Sequence, residues 1–356
     1  MIPRIPDSLT VGCMRATVIH APFDVRLEEL PDPKIEGPGD AVVKVVASCI
    51  CGSDLWPYRG DPPVKQPRPI GHEFVGIVQE VGSDVHTVKP GDFVVAPFVV
   101  SDGTCPHCLA GYQTACQNLV GYGQGKADGG QGEYVKLPYA DGTLVATPEV
   151  PDDALVPSLL TLSDVMGTGW HAARSARVKA GDTVVVVGDG AVGLCGVLAA
   201  SRMGAERVVA LSRHEPRQKL AKEFGATDII SERGDAAKDA VLELTKGVGA
   251  DAVLECVGTA QSMTTAFDVA RPGATVGFVG VPHGVEVPIS TMFRNNIGLA
   301  GGAAPCRAYL PALMADVLSG AIDPGKVFDS ELPLADVAEG YAAMHERRAI
   351  KVLLRP

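Results

Sequence analysis

The chain has 356 residues, of which 46% are hydrophobic and 21% charged, enough for two domains with separate cores and the composition of an ordinary soluble protein. Its formal net charge of -11 argues against nucleic acid as the main partner, because phosphate binding needs clustered Lys and Arg. The longest apolar stretch, 183–200, is interrupted by Gly188, Asp189, Gly190 and Gly193, which rules against a membrane partner and fits a buried strand feeding a helix.

Residues 1–13 are interrupted by proline and aperiodic, and read as a disordered leader. They lack the basic start and continuous apolar run of an export signal. With nine cysteines in the chain, that predicts a cytoplasmic protein whose thiols stay reduced or bind metal. Residues 14–20 begin an alternating strand. Short apolar runs follow at 41–46, 74–81 and 92–100, separated by Pro, Gly and Asp, and predict a barrel-like β domain. That half of the chain carries Cys51 in Cys51-Gly52-Ser53-Asp54 and the pair His72-Glu73. Asp164 stands alone further on. One sulfur, one imidazole and one carboxylate can hold zinc with a fourth position open, which separates a catalytic from a structural site.

From about residue 183 the rhythm changes. Buried-strand runs at 183–187, 207–211, 252–256 and 274–279 alternate with helix-length segments at 191–203, 217–224 and 261–270. Such alternation predicts βαβ units and a doubly wound parallel sheet. Val184-Val185-Val186-Val187 leads into Gly188-Asp189-Gly190-Ala191-Val192-Gly193, a dinucleotide-binding glycine pattern in the strand-to-helix setting that gives it weight. Gly188 allows the tight turn, Gly190 the approach of the pyrophosphate, and Gly193 close helix packing. The N–H groups at Ala191 and Val192 open the helix toward the phosphates. Ser212 falls where an NAD site usually places an acidic residue, and Arg213 and Arg217 can pair with a 2′-phosphate. NADP is therefore the expected cofactor. Glu215 supports NAD as runner-up if the strand ends later. The end of the chain, 350–354, reads as one more strand, returning to the first domain.

The order Cys51-Gly52-Ser53-Asp54, Gly71-His72-Glu73, a cysteine-rich loop at 102–116 and then the glycine pattern resembles the zinc-dependent medium-chain dehydrogenases, the alcohol dehydrogenase family. The resemblance spans 14–356. It implies a GroES-like β-rich catalytic domain, 14–164 with 303–356, around a Rossmann cofactor domain, 165–302. It also implies Cys51, His72 and Asp164 as catalytic zinc ligands, with Asp164 in place of the second cysteine of many members. Glu73 would be the neighbouring carboxylate and Asp54 the partner of the His72 ring. Asp102, Cys105, Cys108 and Cys116 match the structural-zinc lobe, with Asp102 in place of its first cysteine and His107 as a lesser alternative ligand. A metal-free lobe with three thiols is the competing possibility. Thr168 matches a residue beside the nicotinamide, Ser53 the first proton-relay group, and Trp56 and Phe98 the substrate pocket; for Phe98 a plain core role is nearly as good.

The next relay member is often a histidine three residues after the serine. Trp56 stands there, and an indole has a donor but no acceptor, so the proton is expected to leave Ser53 through the ribose hydroxyl and water. The resulting expectation is a zinc-dependent oxidoreductase acting between an alcohol and its aldehyde or ketone, with a small-molecule partner and a homodimeric or homotetrameric assembly touching near 297–300. The alternatives are a zinc-free enone or quinone reductase on the same fold, which would not need Cys51, His72 and Asp164 together, and a non-catalytic NADPH sensor.

Overall fold

A computed structural model of the chain describes residues 12–356. Its strands are β1 (Cys13–Ala21), β2 (Asp24–Pro31), β3 (Ala41–Cys49), β4 (Arg68–Pro69), β5 (Phe74–Val81), β6 (Phe93–Ala96), β7 (Tyr134–Leu137), β8 (Val145–Ala146), β9 (Thr183–Val187), β10 (Arg207–Leu211), β11 (Asp228–Ile230), β12 (Ala250–Glu255), β13 (Ala270–Phe278), β14 (Gly298–Gly301), β15 (Ser330–Pro333) and β16 (Val352–Arg355). The expected leader lies outside the described residues up to residue 11; Cys13 itself is already paired in β1, opposite Pro31.

The first half builds a β-rich unit from two sheets, β2-β1-β4 and β15-β16-β3-β5-β6-β8, with β7 also paired to β3. β3 is central. It reads Ala-Val-Val-Lys-Val-Val-Ala-Ser-Cys and is buried along almost all its length, as β-branched residues between two packed faces should be. β16 joins antiparallel to β3, with Leu353 opposite Cys49, so the C-terminal run does return to the first unit. The second unit is a parallel sheet in the order β11-β10-β9-β12-β13-β14. The all-valine part of β9 is buried on both faces. Strand order reverses between β9 and β12, the switch point at which open α/β sheets bind ligands beyond their C-terminal strand ends.

The helices Val156–Thr161 and Val165–Ser175 join the units. One buried cluster holds Ala47, Cys49 and Val75 of the β-rich unit, Leu159 and Met166 of the joining helices, and Val186 and Leu194 of the parallel unit. Contact there is tight. A Cβ on Gly277 of β13 would lie 2.1 Å from the Ala172 carbonyl oxygen. Among the described residues, no helix is long and apolar enough to cross a membrane.

Lys351 precedes β16 and is 1% exposed. Its Nζ donates to Glu73 Oε1 at 2.7 Å and to the Ile50 carbonyl at 3.3 Å, and sits 5.8 Å from the Phe328 ring centroid. Glu73 is fully buried as well. Breaking one side of such a pair strands an uncompensated charge, so Lys351→Met should lower the unfolding free energy by about 3–5 kcal/mol. Adding Glu73→Gln should recover part of that loss; denaturant titration of the single and double variants checks both. Gly277→Ala, remote from Glu73, should cost about 1–3 kcal/mol by overpacking in the same assay.

Candidate active site

Cys51 ends the chain segment leaving β3 and opens the turn Gly52–Asp54. Asp54 Oδ2 accepts from the Cys51 N–H at 3.0 Å, which fixes the turn that presents the thiol. His72 and Glu73 stand just before β5. Asp164 begins the helix Val165–Ser175, and its Oδ1 accepts from the Thr168 hydroxyl one turn on at 2.7 Å, leaving Oδ2 to face Cys51 and His72. Cys51 Sγ is 3.5 Å from that Oδ2, and so is His72 Nε2. Asp54 Oδ1 lies 3.4 Å from His72 Nδ1 on the opposite edge of the ring, holding Nε2 toward the thiol. Gln131 braces this support, donating to Asp54 Oδ2 at 3.2 Å while its carbonyl accepts from the Tyr341 hydroxyl at 3.1 Å.

One ligand atom from each of Cys51, His72, Glu73 and Asp164 lies within 4.8 Å of the others. Their electrostatics call for a cation. Burial and the Asp164 charge push the Cys51 thiol up to about 11. Burial pulls the His72 ring down, but Asp54 and Cys51 outweigh it and raise the ring well above its ordinary value. Glu73 Oε2 is buried with no hydrogen-bond partner. A sulfur, an imidazole and a carboxylate with a further orphaned carboxylate oxygen are a donor set suited to zinc.

These groups open onto a cleft of about 700 Å³ lined by Cys51, Ser53, Trp56, His72, Phe98, Asp164 and Thr168 on one side and Gly190, Ala191, Val192 and Arg217 on the other. The structure thus gathers the expected metal, relay, pocket and glycine-loop residues around one space. Ser53 Oγ is 3.5 Å from His72 Nε2. The Phe98 ring stands edge-on to His72 at 6.4 Å.

The glycines behave as their positions require. Gly188 adopts φ 121°, and a Cβ on Gly193 would meet the Gly188 carbonyl oxygen at 2.0 Å. Nothing lies within 4 Å of the place a Gly190 Cβ would occupy, so that backbone is open to a ligand. Ser212 is buried, and its hydroxyl donates to Asp189 Oδ2 at 2.9 Å. Arg217 reaches Asp189 Oδ1 at 3.3 Å, while Arg213 is exposed.

A second group of ligand atoms, from Asp102, Cys105, Cys108 and Cys116, also lies within 4.8 Å. Asp102 Oδ1 accepts from the N–H groups of Thr104 and Cys105, and Oδ2 from Asn118. Burial raises that carboxyl, but these donors outweigh it and hold it well below the usual carboxylate range. Burial and the neighbouring thiols push Cys108 up to about 12. His107 is outside the group; its Nδ1 is 2.6 Å from the Ala115 carbonyl.

Sequence reasoning missed several cleft residues. Lys351 and Arg347 line it from the other end of the chain, and Arg59 from just after the short helix Leu55–Tyr58. Only Lys351 left a trace, as one cation inside the apolar run 350–354. His283 carries no spacing signal in the sequence, yet its ring stacks on Trp56 with centroids 3.7 Å apart.

Residues 37–152 match the family described as alcohol dehydrogenase GroES-like domain, and residues 191–319 the family described as zinc-binding dehydrogenase. A zinc-type alcohol dehydrogenase B of Aspergillus flavus is 36% identical over 97% of this chain and 82% of its own length. The alcohol dehydrogenase of Thermus sp. ATN1 superposes with a TM-score of 0.89 at 32% identity, covering 96% of this chain and 99% of that one. A zinc-binding dehydrogenase of Sinorhizobium meliloti, solved bound to NADP, does so with 0.83 at 29% identity over 97% and 100%. With both family matches, a full-length relative and the same two-unit architecture, this chain belongs to the zinc-dependent medium-chain dehydrogenases and is an alcohol dehydrogenase-type oxidoreductase.

Proposed function

We propose that the chain interconverts a small alcohol and its aldehyde or ketone in the cleft between the two units, with NADP as the hydride partner and zinc held by Cys51, His72 and Asp164. The observation that carries this reading is the convergence of those three donors on the wall facing the Gly190–Val192 turn. Bound there, zinc would polarise the substrate oxygen and the nicotinamide would exchange the hydride.

The protein's own groups do the rest. Asp54 and Thr168 hold the imidazole and the carboxylate in place. Ser53, beside His72, takes or returns the proton of the substrate hydroxyl. Phe98 and Trp56 bring apolar surface against the substrate and keep water from the reacting carbon. Lys351 holds one oxygen of Glu73, leaving three donors free to bind and a fourth direction toward the cleft. A zinc-free reductase would have no use for this buried, cation-seeking set.

For the cofactor, Arg213 and Arg217 follow the end of β10, where a 2′-phosphate would sit, and Ser212 and Arg217 both reach Asp189 of the glycine turn. The Asp189 carboxylate favours the second reading, NAD, since it already engages Ser212 and Arg217 and would repel a phosphate. We assign the second metal position to Asp102, Cys105, Cys108 and Cys116. The free edge of β14, next to Phe293 at 84% exposure, is the surface we assign to contact with a second copy in a dimer or tetramer. The eight cysteines from Cys49 to Cys306 form no disulfide, which suits the cytoplasm.

Metal analysis of the purified protein should return two zinc ions per chain. Asp164→Ala should remove one and lower kcat/KM by more than about 100-fold, since even outer-shell changes at zinc sites reach that loss. Cys116→Ser should remove the other and lower the melting temperature instead. One zinc in the wild type would refute the lobe assignment.

Replacing Arg213 and Arg217 together by Ala should cut kcat/KM with NADP by about 10–100-fold, as loss of charge-assisted hydrogen bonds does, with little change for NAD. Steady-state kinetics with both cofactors measure it, and a wild type that prefers NAD overturns the assignment.

A further inference from the structure

The proton that Ser53 receives needs an acceptor, and the residue three positions on is Trp56. The cleft is not the only space Ser53 touches. It also lines a side cavity of about 390 Å³ that Trp56 borders as well, together with Asp54, Asp61, Arg68, His72, Tyr122 and His283. His283 comes from the parallel unit, on the loop after β13, and its ring lies flat on Trp56 with an interplanar angle of 10°.

The loop fixes that ring from two sides. The His283 N–H donates to the Gly258 carbonyl at 2.9 Å, in an isolated bridge with Thr259. Its Nδ1 lies 2.8 Å from the Val281 carbonyl oxygen. A carbonyl only accepts, so Nδ1 carries the hydrogen in the neutral ring and Nε2 keeps its lone pair. His283 is exposed, so a proton held there can pass to solvent.

We propose that His283, brought across the cleft and held on the face of Trp56, is the proton acceptor beyond Ser53. The inference rests on the alcohol–carbonyl reading above. In oxidation the substrate C–H bond breaks, and its electron pair leaves as hydride to the oxidised nicotinamide cofactor. The hydroxyl proton passes to Ser53 Oγ, the Ser53 proton passes to His283 Nε2 through water in the side cavity, and solvent takes it from there. Reduction runs the same transfers backward. The charged and titratable groups sharing the cavity are Asp54, Asp61, Arg68, His72 and Tyr122; the loop 279–288 adds Glu286. Because acceptor and serine stand on different units, the relay is complete only when the cleft is closed enough for the rings to stack.

The test uses the zinc-loaded enzyme and a panel of alcohols. His283→Phe keeps an aromatic ring for Trp56 and removes the proton acceptor. It should lower kcat by about 100-fold near neutral pH, the smaller end of general acid–base effects. KM for alcohol and cofactor should stay near the wild-type values. Rate should return at high pH and with added imidazole. Trp56 fluorescence, read in a Trp170→Phe background, should titrate with pH, because a stacked imidazolium quenches indole, and His283→Phe should abolish that titration. An active wild type whose kcat–pH profile survives His283→Phe unchanged overturns the relay alone, as does emission from Trp56 that ignores pH. A wild type that turns over no alcohol or carbonyl in the panel overturns the functional reading and the relay with it.

Discussion

Acidic groups converging in a buried place are the constraint around which this molecule is organised. Cys51, Glu73 and Asp164 come together behind the cleft, and all three are at least mostly shielded from water. Isolated carboxylates cannot remain ionised there without a partner. The chain supplies one permanent cation, Lys351, and it must travel from the C-terminus to do so. That requirement accounts for the return of β16 to the sheet of the first unit: pairing Leu353 with Cys49 sets Lys351 directly over Ile50 and Glu73. One cation balances one carboxylate. The Cys51 thiol and the Asp164 carboxylate, with His72 between them, are the donors that a divalent ion would draw together.

The same helix serves both units. Asp164 stands at the start of Val165–Ser175, Thr168 lies one turn later, and the body of that helix packs on β13 so closely that Gly277 admits no side chain. Gly167 is as confined, against Cys306. A carboxylate beside the candidate metal position and a hydroxyl beside the cofactor cleft are therefore held by a single rigid element seated on the cofactor sheet. Any movement of that sheet relative to β3 would shift Asp164 against Cys51. The continuous core through Ala47, Leu159, Met166 and Val186 resists such movement, while across the cleft Trp56 of one unit stacks on His283 of the other.

Much of this was legible before any coordinates. The glycine spacing after four valines located the cofactor turn, because backbone chemistry there admits few residue types. The cysteine, histidine and aspartate stood out because their chemistry is scarce and their neighbours patterned. Lys351 was harder to read: one lysine in an apolar strand has the same signature as an edge residue pointing to water. Its burial depends on a partner almost 280 positions away. His283 left no signal at all. Stacking has no local periodicity, and the loop that carries it is held in part by the distant Gly258 turn. Strand β2 and the helix Asp235–Leu244 also escaped, since each carries enough charge to resemble a surface loop, and β11 is only three residues long.

The aspartates of the two ligand clusters are not equivalent, and their hydrogen bonds explain why. Asp164 gives one oxygen to Thr168 and leaves the other facing the thiol and imidazole. It remains a good donor whose direction is fixed. Asp102 spends one oxygen on two backbone N–H groups and the other on the Asn118 amide. Each of those bonds withdraws electron density that a metal would otherwise receive. They also hold the turn Asp102–Cys105 in shape without help from any ion. The lobe is thus stabilised in part by its own hydrogen bonds, and its three thiols would bind zinc more weakly and with more dependence on pH than an all-cysteine site. In the cleft the opposite holds: the support falls on His72 and Asp164 from behind, and the donor atoms themselves are left for the metal. Asp164 keeps one oxygen free toward the cleft cluster, whereas Asp102 uses both oxygens to hold its own loop in shape.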